Sequence, residues 1–550
     1  MDPFTPILFF MIGSIAIAMG SGNRYGIYGI TAAISVIGAL VTTLLLRFNI
    51  FSTVILSPWN LQDIFVDNLF LNIDHVTWSL ALLLLFMLCM MFFASITNNV
   101  EFLSSDSAIC MLIVAFCFLV LFAGNYVTLV ISVLILDLFT YLAVSSRVTD
   151  SQDETGDLIG FDIRSTVNYP FRLSVTTGLL FILALIDPIG SFDAVRENKL
   201  LVNIIVVGVA IMRISMYPFN YLNIVRYANS YVVFTAASIA FMITSFKLML
   251  LIDIQYASIV FKSVVSILAV LSGIIYGCKW CISNNHFERI YSVVVGQSSL
   301  AILTFIWAEK WQLFGLYAHL ISIVVCVVII HVNANIVRST MSEFVRFILA
   351  CMLFGCQPLT VGFFSIYVLT SSAVYLSVSG PILMTLVVLI NGLMMTGAIK
   401  MIFQVKTSTA INAPLINLAG ISSIGVPVGI SILVGVMPAL LGRVLGISSV
   451  PIWRDFINVS GITAVALCML SMSISIFLWY YRSRIKGFVE YLPKSYLIKV
   501  SELTWLYQIG GRVYRSLCRK LHRFAGVLEG QGGVMWALVI SCGIYLVING

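Results

Sequence analysis

Long apolar stretches, each about the 20 residues a helix needs to cross some 30 Å of hydrocarbon, alternate with short polar loops along nearly the whole chain. They fall near 4–20, 26–46, 72–95, 108–123, 126–145, 170–187, 200–218, 231–252, 258–277, 289–307, 313–334, 345–374, 380–404, 424–442, 460–480 and 533–549, which predicts about sixteen transmembrane helices. After Tyr481 the pattern changes. Val513, Leu517, Leu521 and Phe524 recur at helical spacing on one face and Arg512, Arg515, Arg519 and Arg523 on another. That predicts an amphipathic helix lying flat on a membrane surface.

Composition agrees with this pattern. Sixty per cent of residues are hydrophobic and 10% are charged, against about 25% charged in soluble domains, and the mean hydropathy is +1.06. The first apolar stretch follows Asp2 rather than a basic segment and precedes Arg24, so it reads as a membrane span with the N-terminus outside and not as a cleavable leader. Fifteen spans then bring Tyr481 to the inner side, where Arg482 to Arg523 holds ten of the thirty Lys and Arg. Parity and the positive-inside rule agree there; Glu101, Asp106 and the acidic loop Asp150 to Asp162 fall on the same side, but the rule counts Lys and Arg. The net charge of +7 is mostly that basic segment and indicates a membrane surface rather than nucleic acid.

The eleven cysteines are scattered through apolar spans as small hydrophobes. Cys278 and Cys281, with His286 nearby, form the one close set, and without a second cluster they make no zinc site. No dinucleotide fingerprint, phosphate loop or nucleophile elbow occurs. No cofactor, metal or catalytic site of the chain's own is expected.

Charge inside the apolar stretches is where function is expected. Asp137 sits midway along a span, where an acid costs about 2.5–3.5 kcal/mol on insertion scales. Arg213 lies inside another, and Pro218 interrupts that span five residues on. A second interruption, Pro358, follows 140 residues later. Each is next-to-last in a run of five spans, 108–252 and 258–404, which suggests two repeats with a broken helix in corresponding positions and a transport site near the midplane. The division this gives is N-terminal helices (1–107), a first repeat (108–253), a second (254–404), C-terminal helices (405–481), the basic surface helix (482–529) and a final span (530–550).

At these residues the chain resembles the antiporter-like membrane subunits shared by respiratory NADH:quinone oxidoreductase (complex I) and multisubunit Na+/H+ antiporters, over roughly Asn72 to Lys400. The stretch Asn72 to Leu85 is similar to the family's Asp-containing third-helix entry, and Phe122 to Val144 to its fifth-helix motif, with Asp137 at the usual Glu. "RISMYPFNYL" resembles Lys-x-x-x-x-Pro-Phe-His-x-Trp-Leu, with Arg213 at the Lys and Asn220 at the His. "HFERIYSVVVGQSSLAILTF" and "FGCQPLTVGFFSIYVL" are similar to the family's following helix and to its second broken helix.

The departures are as informative. Thr244 stands at a usual Lys with Lys247 one turn on, Val327 stands at a central Lys although His319 and His331 lie near the ends of that span, and Ile366 replaces a Lys or Glu. Lys to Arg matters because Arg keeps its proton whereas a buried Lys can release one.

The resemblance implies an all-α polytopic membrane protein with two inverted five-helix repeats. It further implies ion translocation through Asp137, Arg213, Lys247, Pro218, Pro358, His319 and His331, with protons or Na+ as the ion, and paralogous membrane subunits of a respiratory or antiporter complex as partners. It places the chain in a bacterial plasma membrane. Two alternatives stay open: a degenerate paralogue that is structural in such a complex, and a stand-alone secondary transporter. Any redox chemistry would belong to partner subunits. His75 beside Asp74 reads as a span edge, and Lys262, Lys400, Lys406 and Arg443 as flanking anchors.

Overall fold

The computed structural model describes residues 2–19, 25–50, 52–57, 68–97, 104–145, 163–186, 199–219, 230–252, 254, 257–308, 311–332, 352, 354–374, 379–404, 414–447, 450–451 and 453–481, and then 512, 515–516 and 518–520. The chain divides into two compact units, Met1–Tyr491 and Leu492–Gly550. In the second unit Arg512, Arg515 and Arg519 are helical and exposed. The apolar stripe predicted for that segment and the stretch 533–549 lie outside the described residues, as do Asn220 and Lys406.

The first unit is a helical bundle. In chain order its helices are α1 (Phe4–Met19), α2 (Tyr25–Leu45), α3 (His75–Thr97), α4 (Ser104–Phe122), α5 (Tyr126–Ser145), α6 (Ile163–Ile186), α7 (Lys199–Ile214) and α8 (Tyr231–Met249). They continue as α9 (Ile259–Ile282), α10 (His286–Trp307), α11 (Gln312–Val332), α12 (Val361–Ala373), α13 (Ser379–Gln404), α14 (Pro414–Val436), α15 (Pro438–Leu445) and α16 (Val459–Tyr480). Among the described residues ten helices are long and apolar enough to cross a bilayer, and the pair α14–α15, bent by 94°, makes an eleventh candidate. Four of the predicted stretches are instead shorter apolar helices: Phe4–Met19, Arg172–Ile186, Leu200–Ile214 and Val361–Ala373.

Lipid explains the arrangement. Backbone groups must be satisfied within each helix, and polar side chains turn toward neighbouring helices. Helices α8, α10 and α11 are buried almost all round, whereas α9 and α16 expose Val260, Ile267, Ile462 and Met469 on one side. The polar residues follow this division: Thr235, Thr244, Ser292, Gln297, Ser298, Thr304, His319 and Ser322 lie on the three interior helices and are buried.

One element departs from the all-helical expectation. Strands β1 (Thr53–Ser57) and β2 (Leu69–Asn72) pair antiparallel, Val54 opposite Leu71, and β2 also bridges to Ala123. The predicted third span therefore begins as a strand at Asn72 and becomes helix only at His75. Asp74 makes that start. Its Oδ1 accepts from the Thr77 amide (2.6 Å) and hydroxyl (2.7 Å), and its own N–H donates to Thr77 Oγ1 (3.0 Å), a reciprocal N-cap.

His75, read as a span edge, joins the N-terminal helices to α15. Arg47, in the single turn Leu46–Asn49 that follows α2, donates to His75 Nδ1 (2.8 Å) and to the carbonyls of Val444 (3.0 Å) and Arg443 (2.8 Å), with its guanidinium 4.8 Å from the Trp78 ring centroid. These are the last carbonyls of α15, which ends at Gly446 in the left-handed region (φ 68°), so a cation there suits both the orphan acceptors and the helix dipole. Arg47→Gln is expected to lower stability by about 1 kcal/mol, measured as the thermal midpoint in detergent. Lys400 does the same for α9, its Nζ donating to Ile282 O (2.7 Å) and Ser283 O (3.2 Å).

Candidate functional site: buried charges at two helix breaks

Asp137 is the twelfth residue of α5 and Arg213 the last but one of α7. The structure brings them together. Arg213 Nη1 donates to Asp137 Oδ2 at 2.7 Å, with both residues 2% exposed. The Arg213 guanidinium also lies 5.1 Å from the centroid of the Phe241 ring on α8, a favourable seat for a desolvated cation.

A third charge belongs to this site and was not anticipated. Arg172, on α6, donates from Nη1 to Ser215 Oγ, is 5% exposed, and acts on Asp137 electrostatically. The apolar stretch begins near 170, which put Arg172 at a span edge. Helix α6 starts at Ile163, so Arg172 is its tenth residue and sits among packed helices.

Directly after Arg213, α7 breaks. Ser215 has φ 64°, and the Tyr217–Pro218 peptide is cis. The freed backbone groups are taken up across the bundle: Tyr276 and Tyr291 donate to Ser215 O at 3.4 and 3.2 Å, and the Tyr217 amide donates to Ser272 Oγ at 2.9 Å. A broken helix inside a bundle is tolerated when neighbours re-satisfy it in this way.

Pro358 marks a second break, from Gly355 to Thr360, where Cys356 and Leu359 have positive φ (48° and 74°). Neutral side chains satisfy this one. Gln297 Nε2 donates to Phe354 O (3.2 Å), Asn391 Nδ2 to Gly355 O (2.7 Å) and Gln357 Nε2 to Cys468 O (3.1 Å). Ser471 and Asn391 are 3.2 Å apart, and Thr304 and Ser365 3.0 Å. His319 is fully buried on α11, beside Gln297 of α10. Among the described residues Gln297 Oε1, Ser298 Oγ and Asn391 Oδ1 have no hydrogen-bond partner.

The remaining predicted residues do not converge on the pair. Lys247 is buried, but six residues, or about 9 Å of helix rise, beyond Phe241; the acid acting on it is Asp74, at the start of α3. Thr244 is buried and bonds the carbonyls of Ala240 and Phe241 within its own helix. His331, at the end of α11, stacks on Tyr231 (4.9 Å between centroids, 7° between planes). Nearby, Asp106 is not a loop charge. It is buried in the first turn of α4, where it suits the helix dipole, and its Oδ2 accepts from Ser230 Oγ at 2.6 Å. Val327 and Ile366 are packed in the core. Among the described residues no group of three or more His, Cys, Asp or Glu could hold a metal.

These features define a polytopic helical membrane protein with two irregular segments at prolines, Ser215–Phe219 and Gly355–Thr360, one meeting charged and the other neutral polar side chains. No family profile matches the chain, and no curated protein matches it by sequence. Solved structures do match. A chain of the Mrp complex from Dietzia sp. DQ12-45-1b superposes with a TM-score of 0.69 at 13% identity, covering 100% of this chain and 62% of that one. A chain of the membrane-bound sulfane sulfur reductase, an archaeal respiratory membrane complex, gives 0.62 at 14% identity over 99% of both. One of respiratory complex I from Thermus thermophilus with bound aureothin gives 0.58 at 12% identity, covering 80% of this chain and 99% of that one. This chain thus spans less than two thirds of the first of these. The fold is therefore shared with chains of these three membrane complexes.

Proposed function

We propose that this chain is a proton- or sodium-translocating, antiporter-like subunit of a multisubunit complex in a bacterial plasma membrane, working beside paralogous membrane subunits. The single observation that carries this is the ion pair Arg213–Asp137, desolvated and placed immediately before a helix break. A buried charge pair at an interrupted helix is an expensive arrangement whose common use is an ion path. Because Arg213 keeps its proton, its part is to hold and release the Asp137 carboxylate by moving, while Asp137 takes and gives up the ion. Lys247 with Asp74 and His331 with Tyr231 are positioned to serve the path toward the ends of the bundle, and His319 to serve its second half. The two five-helix units around Pro218 and Pro358 are, on this reading, inverted repeats.

Asp137→Asn is expected to reduce coupled ion movement to background while the protein remains inserted, read in everted vesicles with a fluorescent ΔpH indicator and a sodium pulse. Unchanged transport would remove Asp137 from the mechanism. Mild-detergent purification with mass spectrometry of the co-purifying chains identifies the complex: an iron–sulfur or flavin arm indicates a respiratory enzyme, small antiporter subunits an exchanger, and recovery alone a stand-alone transporter.

A second reading has its own observation. Val327 and Ile366 are buried apolar side chains where the resemblance calls for ionisable ones, and the Pro358 break is satisfied by the amides of Gln297, Gln357 and Asn391. This favours a structural paralogue whose charged half is retained without full translocation. Wild-type ion movement in the complex carrying Asp137→Asn would favour it.

A further inference from the structure

Arg213 can hold Asp137 only while the last turn of α7 stays in place, and one residue ties that turn to its surroundings. The amide of Ser215 donates to Met212 O and that of Met216 to Ile211 O, both at 3.1 Å. This is the Schellman pattern that closes a helix, with Ser215 at the left-handed position (φ 64°) where glycine is usual. The two bonds clasp the turn that carries Arg213, so a displacement of Ser215 carries Arg213 with it.

Serine has a use here that glycine would not supply, because its Oγ accepts from Arg172 of α6. Its carbonyl oxygen accepts from two hydroxyls, those of Tyr276 on α9 (3.4 Å) and Tyr291 on α10 (3.2 Å). Both tyrosines are buried and packed edge to face, with 5.4 Å between ring centroids. Neither α9 nor α10 carries a member of the ion pair. Two donors filling both lone pairs of one carbonyl, from rings that are themselves locked by packing, fix where that oxygen sits as well as satisfying it.

We propose that Tyr276 and Tyr291 are positioning residues for the Arg213–Asp137 pair. By holding Ser215 O they seat the last turn of α7 so that Arg213 meets Asp137, and they make that meeting depend on where α9 and α10 stand. A shift of either helix is thereby passed to Arg213 through a single residue. For its consequence in transport this rests on the translocation reading above; the pairing itself does not.

The test measures the pair. In the full-length chain purified in dodecyl maltoside, thermal midpoints of wild type, Asp137→Asn, Arg213→Gln and the double variant give the coupling between the two residues as their departure from additivity. The same four are then made with Tyr276→Phe and Tyr291→Phe, which remove the hydroxyls and keep the rings. The coupling is expected to fall to less than half. Tyr317→Phe is the control: it deletes a buried hydroxyl elsewhere, the one donating to Val76 O at 2.6 Å, and is expected to lower the midpoint with the coupling unchanged. A coupling that survives loss of the two hydroxyls, or one that falls equally with Tyr317→Phe, would overturn the proposal. If the charge variants fail to fold, an electron cryo-microscopy structure of Tyr276→Phe/Tyr291→Phe decides: Arg213 Nη1 is expected to have left Asp137 Oδ2, and a contact kept at 2.7 Å would overturn it. These measurements need no ion gradient. Normal transport by Asp137→Asn would therefore remove the translocation reading and leave this one standing, whereas an unchanged coupling beside abolished transport would remove this one alone.

Discussion

Asp137→Asn is expected to be the most destabilising single substitution at the charged site, and more so than Arg213→Gln. For an ordinary buried ion pair the two should be similar, because either leaves one uncompensated charge at about 3–5 kcal/mol. Arg172 breaks that symmetry. Removing Arg213 leaves Arg172 still acting on Asp137, whereas removing Asp137 takes away the carboxylate on which both guanidiniums act. The double variant Asp137→Asn/Arg213→Gln keeps one charge and should fall between them. Thermal midpoints in detergent buffer, with labelling of the buried Cys117 as an independent probe of opening, give the order directly. Equal midpoints for the three variants would mean that these charges do not share one desolvated site.

The same three residues show what could be read from the sequence alone. Asp137 and Arg213 are conspicuous because each is a lone charge well inside an apolar run, and the cost of burying such a charge in lipid makes each other's company the economical solution. Arg172 carries the same charge but stands two residues inside its apolar stretch, where a long side chain ordinarily snorkels; only the start of α6 at Ile163 shows it to be interior. Lys247 was legible as a buried cation, yet its neighbour Asp74 caps a helix that starts 172 residues earlier, at His75, a relation that no local spacing encodes. Both proline breaks were visible because proline cannot continue the hydrogen-bond ladder. Gln297, Gln357 and Asn391 were not, because a neutral amide within an apolar run signals little until the carbonyls it satisfies are located. Strands β1 and β2 escaped for a related reason: "TVILS" and "LFLN" are too short for periodicity to separate them from the ends of spans.

Gly435→Val is expected to disrupt the second break more than any other single change in α14. A Cβ at Gly435 would lie 2.3 Å from the Leu359 carbonyl oxygen and 2.7 Å from the carbonyl carbons of Leu359 and Thr360. All three are backbone atoms, so no side chain can rotate away. The backbone they belong to is already constrained, with Leu359 held at φ 74°, a conformation that costs a residue with a side chain about 1–2 kcal/mol. Overpacking of this kind ordinarily costs about 1–3 kcal/mol, and at Gly435 it must either push α14 away or displace the turn that presents Gln357 and Thr360 to their partners. A second glycine of the same helix supplies the control. Among the described residues nothing lies within 4 Å of a Cβ at Gly429, so Gly429→Ala should stabilise α14 by up to about 1 kcal/mol through reduced backbone freedom in the unfolded chain. Paired thermal midpoints of the two variants therefore isolate the contact from any general effect of replacing glycine in α14. A Gly435→Val protein as stable as wild type would mean that α14 does not brace the Pro358 break, and the close approach of the two backbones would then have no role in holding the neutral half of the site.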